Sequence, residues 1–251
     1  VALDWPPEDG VRAAFTEVFL GDNYGLEIIA DQDGAAIRRV LDVGANVGWF
    51  ALAARSHFPG AAIHAYEPNA AAVAFLRRNT EALGVVAHPE AVGASSGRVS
   101  LTIPDGKSVH AHTADGGDIP QVAFADALAR LGGADLIKLD CEGAEWPLLD
   151  DPAPWAGVRW LTVEYHLWVR PGATHADAAG AVTRLGFKVV RQQTLSTSGL
   201  LLARLGTRMR LLLSVGLVLA WAMPVIAATT VYQWLFAQRF GVVNWVLDAV
   251  G

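Results

Sequence analysis

At 251 residues and 53 % hydrophobic, the chain can build one large domain with a complete core, or one domain and a small appendage. Its formal charge of −6, without any long Lys/Arg run, argues against nucleic acid as a partner, because phosphate backbones are bound by concentrated positive charge. Cys141 is the only cysteine, which excludes a disulfide framework and a Cys-rich metal site and fits a reduced cytosol.

VALDWPPEDG has neither a basic n-region nor an apolar h-region, so no signal peptide is expected there. From about Ala36 to Leu205, short β-rich runs alternate with Ala/Leu runs at helical spacing. IRRVLDVG reads as a strand entering a turn, and Asn46 to about His57 as a helix stopped by Pro59-Gly60. AAIHAYEP is a second strand, closed by Pro68. Asn69 is the expected N-cap of a helix running to Leu83, with Gly84 as its C-cap. VVAHPEAV reads as a third strand, and VSLTIP and SVHAHTA as an exposed pair. ADLIKLD and VRWLTVEYH are buried strands, HADAAGAVTRLG is a helix ending at Gly186, and FKVVRQQ and GLLLARL close the run. This alternation predicts an α/β fold with a mostly parallel sheet and helices on both faces. Ligands of such sheets bind beyond the carboxyl ends of the strands.

Chemistry begins at LDVGANVG. Gly44 permits a tight turn and close approach of a ligand, and Gly48 lets the next helix pack on the sheet. Asn46 stands where a dinucleotide fingerprint needs its middle glycine. Asp42, at the strand end, would repel a pyrophosphate and would suit a ligand carrying an amine and a sulfonium, as S-adenosylmethionine does. The alternative is a glycine-rich turn without a ligand. Glu67, 23 residues after Gly44, is spaced to accept hydrogen bonds from ribose hydroxyls; a surface Glu before Pro68 is its bland alternative. Asp42, Gly44, Asn46, Gly48, Glu67 and Pro68 are the candidate cofactor-binding residues of this first site.

LDVGANVGWFA, YEPN, LIKLDCEGAEWPLL and VEYH together resemble the FkbM family of S-adenosylmethionine-dependent methyltransferases, over roughly residues 36–205. The resemblance implies a Rossmann-like class I methyltransferase with a seven-stranded sheet. It also implies methyl transfer, usually to a hydroxyl oxygen of a sugar, glycan or natural product. By analogy with related folds, adenine contacts fall just after the third strand, at Glu90 and Ala91 through Val92.

LIKLDCEGAEW then lies beside the reactive methyl group. Strand alternation puts Lys138 and Asp140 on one side and Leu139 on the other. Gly143 is expected to open a helix, with Glu142 near its N-terminus, where the helix dipole favours a carboxylate. Asp140 is the first candidate for general base or acceptor-positioning group, and also borders the cofactor. His166 is the second candidate, and Glu164 would orient either. Against these stand plainer roles: capping or solvation for Glu142 and Glu145, an ion pair for Lys138, and a core or rim position for His166. Asp140, Glu142 and His166 are chemically able to ligate a metal, but their spacing is not diagnostic and no metal is predicted. Cys141 is read as a small core residue. His110, His112, Asp115 and Asp118 either border the acceptor pocket or lie on a solvated loop.

The chain changes character at residue 207. Leu211–Gln238 carries no charge and as a helix would span roughly 40 Å, more than a bilayer core of about 30 Å. Pro224 would kink such a helix, which membranes tolerate. Trp221, Tyr232, Trp234 and Trp245 partly fit interfacial anchoring, and Arg204, Arg208 and Arg210 ahead of the run place residues 1–206 on the cytoplasmic side. LAWAMPVIAATTVYQWLFAQRFGVVNWVL resembles a fragment of a sugar ABC transporter permease without its coupling-helix motif. A fusion, truncation or assembly artefact, a native inner-membrane anchor, and a helix packed on the sheet all remain open.

The expectation is thus a methyltransferase domain over 1–206 and a hydrophobic tail over 207–251. S-adenosylmethionine is the cofactor and a small-molecule or glycan hydroxyl the acceptor, with membrane association through 211–238 and an undetermined oligomeric state. Two rivals remain. One is a membrane transport component, supported only by the tail; the other is an NAD-dependent oxidoreductase, which shares the logic of Glu67 but not the glycine pattern.

Overall fold

The computed structural model describes residues 3–103 and 112–206, which belong to one compact unit, Val1–Gly206. Two helices open it, α1 (Asp9–Phe19) and α2 (Leu26–Asp33). Then come β1 (Arg39–Val43), α3 (Trp49–His57), β2 (Ala62–Tyr66), α4 (Ala70–Thr80), β3 (Val85–His88), β4 (Ala91–Gly93) and β5 (Gly97–Thr102). The chain continues through β6 (His112–Asp115), β7 (Ile119–Ala123), α5 (Phe124–Leu131), β8 (Leu136–Leu139), α6 (Glu145–Asp150) and β9 (Trp160–His166). It closes with α7 (His175–Arg184), β10 (Phe187–Thr194) and β11 (Ser198–Leu205).

The main sheet has seven strands in the order β10-β11-β9-β8-β1-β2-β3. Its five central and right-hand strands run parallel, and β11 is antiparallel to both β9 and β10. The order reverses between β1 and β8, so a crevice opens at their carboxyl ends. One face of the sheet packs on α1 to α4 and the other on α5 to α7. Val40, Leu136 and Trp160 lie side by side on the first face, and Leu41, Ile137 and Leu161 on the second.

Two rows further along the first face the chemistry changes. Asp42, Lys138 and Thr162 replace the apolar row, still in register. Asp140 and Glu164 follow two residues on. Strand alternation therefore turns a hydrophobic face into a polar one at the mouth of the crevice.

Several expected boundaries shift for identifiable reasons. The helix predicted from Asn46 begins at Trp49, because Asn46 and Gly48 both have positive φ, 46° and 96°. VVAHPEAV is two strands, not one: β3 pairs with β2, and after Pro89 the chain leaves the main sheet so that β4 pairs with β7. The helix predicted to open at Gly143 starts at Glu145, since Glu142 and Gly143 have φ of 51° and 113°. Glu142 therefore precedes a six-residue helix and sits in the left-handed region. Asn69 caps α4 by accepting from Ala71 N at 3.0 Å, and Gly84 ends the following turn with φ 70°.

The insert from β5 to β7 joins β4 in a second sheet, ordered β4-β7-β5-β6. α1, α2 and α5 stand where no element was expected. α5 nevertheless buries Phe124, Ala127, Leu128 and Leu131, an amphipathic helical spacing. Among the described residues no helix is long and apolar enough to cross a membrane. The run 211–238 and the membrane association expected of it lie outside the described residues, as does His110.

Candidate functional site

A cavity of about 320 Å³ lies at the carboxyl ends of β1, β2 and β8. Its rim includes Gly44, Asn46, Glu67, Pro68, Glu90 and Ala91 on one side and Asp140, Glu142 and Glu164 on the other. Asp42, Gly48 and His166 do not line it.

On the first side, Glu67 is only 7 % exposed. Its Oε2 accepts from Asn46 N and its Oε1 from Asn69 N, both at 2.8 Å. The glycine turn and the start of α4 are thus clamped to one carboxylate, and each oxygen keeps a free lone pair. Burial pushes this carboxyl up to about 7, against the pull of its two backbone donors. Asn46 Oδ1 is buried without a hydrogen-bond partner. Glu90 is ion-paired with Arg130 from α5.

The glycines serve the protein more than a ligand. A Cβ on Gly44 (φ 77°) would lie 1.7 Å from the Asp140 carbonyl oxygen. The close approach is between β1 and β8 themselves. A Cβ on Gly48 would meet Leu76 and Thr80 of α4 at 2.8 and 2.9 Å, so the room this glycine makes is for α4.

Asp42 is fully buried behind the cavity. Its Oδ1 lies 3.4 Å from Lys138 Nζ, which is also 3.4 Å from Asp140 Oδ2 and donates to Gly44 O at 2.5 Å. Desolvation raises the Asp42 carboxyl, with Lys138 opposing it. Burial favours a neutral Lys138, but Asp140 and Asp42 outweigh it and raise the ammonium. The lysine thus ties the glycine turn to both aspartates.

Tyr24, between α1 and α2, donates to Asp140 Oδ2 at 2.8 Å. Arg191 of β10 holds that loop through Asp22 O and Asn23 O at 2.5 and 2.6 Å. Burial, then Asp140, raises the Tyr24 phenol, so it stays a donor. α1 covers the cavity from the same side, with Trp49 Nε1 donating to Val11 O at 3.0 Å. Sequence reasoning missed both. The spacing of Val11, Phe15 and Val18 carried a signal for α1, whereas nothing local links Tyr24 to a residue 116 positions away.

The remaining acidic groups surround His166, which is 5 % exposed. Its Nε2 lies 3.4 Å from Glu142 Oε2 and its Nδ1 3.4 Å from Glu145 Oε1. Glu145 is fully buried and accepts from Cys141 N at 2.8 Å and Gly143 N at 2.9 Å, so it is neither solvated nor a simple cap. Burial alone would lower the histidine, but Glu145, Glu142 and Asp140 together raise it to about 9. Burial raises Glu142 to about 7 and, with Asp140, Glu164 to about 8. Cys141 packs on the core beside the cavity, its thiol pushed up by burial and Glu145. In the insert Thr113 of β6 reaches the cavity, while Asp115 and Asp118 are exposed.

Comparison with known proteins adds three kinds of match. The FkbM methyltransferase from Methylobacillus flagellatus KT is 14 % identical over 66 % of this chain and 43 % of its own, with a TM-score of 0.45. Magnesium protoporphyrin IX methyltransferase (ChlM) from Synechocystis PCC 6803, solved with bound SAM, is 15 % identical over 76 % of this chain and 83 % of its own, at a TM-score of 0.43. The tail matches the diacetylchitobiose uptake system permease protein DasB of Streptomyces coelicolor, 83 % identical over 53 residues, or 21 % of this chain and 16 % of that protein. The chain thus spans less than half the length of both the FkbM structure and the permease. The FkbM methyltransferase domain profile matches residues 42–189, more than half of the chain and from the end of β1 into β10, and the chain accordingly belongs to the FkbM methyltransferase family.

Proposed function

We propose that the chain transfers a methyl group from S-adenosylmethionine to a hydroxyl oxygen of a small-molecule or glycan acceptor. The observation that carries this reading is Glu67, a buried carboxylate at the end of β2 with one lone pair left on each oxygen. A vicinal diol such as a ribose presents two donors at matching spacing. Two further features support the fit. Asn46 Oδ1 is an orphaned buried acceptor in the same turn, suited to an amine donor. The opposite side of the cavity carries Asp140, Glu142 and Glu164, which favours a cationic ligand over a pyrophosphate.

When bound, S-adenosylmethionine supplies a methyl group already activated by its sulfonium. The chain's residues bind, orient and accept a proton. Glu67 and the adjoining Pro68 hold the ribose side, and Glu90 and Ala91 border the adenine. Gly44 and Gly48 contribute by shaping the turn, and Asp42 by holding Lys138 and through it Asp140. Asp140, fixed by Tyr24 and Lys138, positions the acceptor hydroxyl and takes its proton late in transfer. Glu164 lies on the next strand, on the same side of the cavity as Asp140, and helps to orient the acceptor there. His166 stands behind Glu142 and is held protonated by its carboxylates, so it supports the site through Glu142 rather than as the free base.

The test is calorimetric titration of the full chain with S-adenosylhomocysteine and, separately, with NAD. Micromolar binding of the first alone supports the proposal. Binding of NAD alone would transfer the reading to an oxidoreductase, and binding of neither by folded protein would overturn both.

A further inference from the structure

His64 and His88 lie outside the cavity, on the outermost strand pair of the main sheet. β3 is the edge strand and pairs with β2. His64 is opposite Val86 and His88 opposite Tyr66, so the two imidazoles are diagonal neighbours on one face, within reach of each other. That face is the one that packs on α5, since His64 is in register with Leu41. Both histidines are half-buried.

Their facing nitrogens, His88 Nε2 and His64 Nδ1, are 3.2 Å apart, and their ring centroids 4.9 Å apart. A straight N–H···N bond of this length would hold the centroids at about 5.5 Å, so the contact is bent. The observed spacing is that of two imidazoles on one ion. With both bonds about 2.1 Å long and about 100° between them, the nitrogens stand about 3.2 Å and the centroids about 5 Å apart.

The rings are also prepared for this task. His88 is stacked on Tyr66, with centroids 4.3 Å apart and planes 10° from parallel, and Tyr66 is only 1 % exposed. The imidazole plane is therefore set before any ion arrives. Burial first, with Arg130 contributing, lowers both histidines. They are neutral at neutral pH, the form in which imidazole ligates a metal. Arg130 is itself ion-paired with Glu90, so its charge is answered.

We propose that His64 Nδ1 and His88 Nε2 chelate one divalent transition ion of the zinc or copper type, with water in the remaining positions. Imidazole nitrogen suits these borderline ions, whereas magnesium and calcium favour oxygen. Binding places the ring proton of His88 on Nδ1 and that of His64 on Nε2, a tautomer choice that neither gains nor loses a proton. The ion ties the edge strand β3 to β2 beside the cavity. Tyr66, under His88, lines that cavity, and His88 O accepts from Glu67 N at 3.1 Å. The site is separate from the groups assigned to methyl transfer and stands whether or not that assignment holds.

The experiment is titration of the metal-free full chain with Cu²⁺, read by electron paramagnetic resonance. One tightly bound Cu²⁺ per chain is expected, with superhyperfine splitting from two nitrogens. Affinity should fall at least about 10-fold in His64→Gln and in His88→Gln, and little further in the double variant, because a chelate broken at one arm is already lost. His112→Gln, which removes a histidine of the sequence pair His110 and His112, should leave binding unchanged. No Cu²⁺ bound at submillimolar concentration, binding that survives either substitution, or binding abolished by His112→Gln would overturn the site. The unmutated protein decides the matter if the variants fail to fold. Bound Cu²⁺ should shield His64 and His88 together from diethylpyrocarbonate, located by mass spectrometry, and equal labelling with and without the ion would refute the chelate.

Discussion

The two sides of the cavity hold their carboxylates by different physics. Glu67 is fixed by backbone N–H groups of Asn46 and Asn69, which belong to the turns flanking its own strand pair. Asp140 and Glu142 are held chiefly by side chains, namely Tyr24, Lys138 and His166, brought from separate segments, and Glu164 stands beside them. The first side is preorganised as soon as β1 and β2 pair. The second is an accumulation of like charge that stays together only because the surrounding fold imposes it, and its raised carboxyl groups register that cost. A binding surface that must recognise the same ligand each time gains from the first construction. A site that must move a proton, or admit a cation, gains from the second.

Asp140→Asn should produce the largest effect and break the second side alone. Removing a positioned proton acceptor costs on the order of 10²- to 10⁴-fold in turnover. Calorimetry should find S-adenosylhomocysteine affinity nearly unchanged, while transfer of a labelled methyl group to hydroxylated acceptors collapses. Wild-type turnover in this variant would remove Asp140 from the mechanism.

Gly44→Ala should damage both sides together, because Gly44 is where they touch. The new Cβ would fall 1.7 Å from the Asp140 carbonyl at a φ of 77°. Left-handed backbone costs roughly 1–2 kcal/mol and overpacking typically about 1–3 kcal/mol more. Thermal unfolding should show a loss of that combined size. A variant as stable as the parent would mean that β1 and β8 are not in such close contact.

Glu67→Ala isolates the first side. Loss of two hydrogen bonds to a ribose diol should weaken S-adenosylhomocysteine binding by about 1–3 kcal/mol, read by calorimetry. Equal affinity would show that the diol is held elsewhere and would leave Glu67 as a clamp between two turns.

This contrast also explains what the sequence made legible. The four strands β1, β2, β8 and β9 stand out because parallel strands buried on both faces are apolar runs, and Asp42, Glu67, Asp140 and Glu164 mark their ends or near-ends. Glu67 could be picked out because its partners lie within the same βαβ unit. Tyr24 could not, since its contact with Asp140 spans 116 residues. Asp42 was expected in the cavity and is fully buried behind it. Position along a strand can be counted from sequence, but the depth of the cavity floor depends on Lys138, which reaches across from β8. His166 was likewise visible as a strand-end histidine, while its protonation is set by Glu142 and Glu145 on a turn whose left-handed residues no helical pattern announces.

The smallest expected effect is a pH dependence that distinguishes the two sides by degree. Glu67 at about 7, Glu142 at about 7 and Glu164 at about 8 all lie above the ordinary carboxyl value of 4.5. A carboxyl raised in the folded state binds protons more tightly there than in the unfolded chain, so its ionisation costs stability as pH rises from about 4.5 through 8. His166, raised to about 9 from 6.5, stabilises the fold fully below 6.5 and loses that contribution as pH climbs through 9. The signs agree, so thermal unfolding of the ligand-free protein should occur a few degrees lower at pH 9 than at pH 6, against the flat optimum common to proteins in this range. Glu142→Gln should flatten the slope on the carboxylate-rich side. A slope indifferent to that substitution would remove Glu142 from the pH dependence and leave it to Glu67, Glu164 and His166.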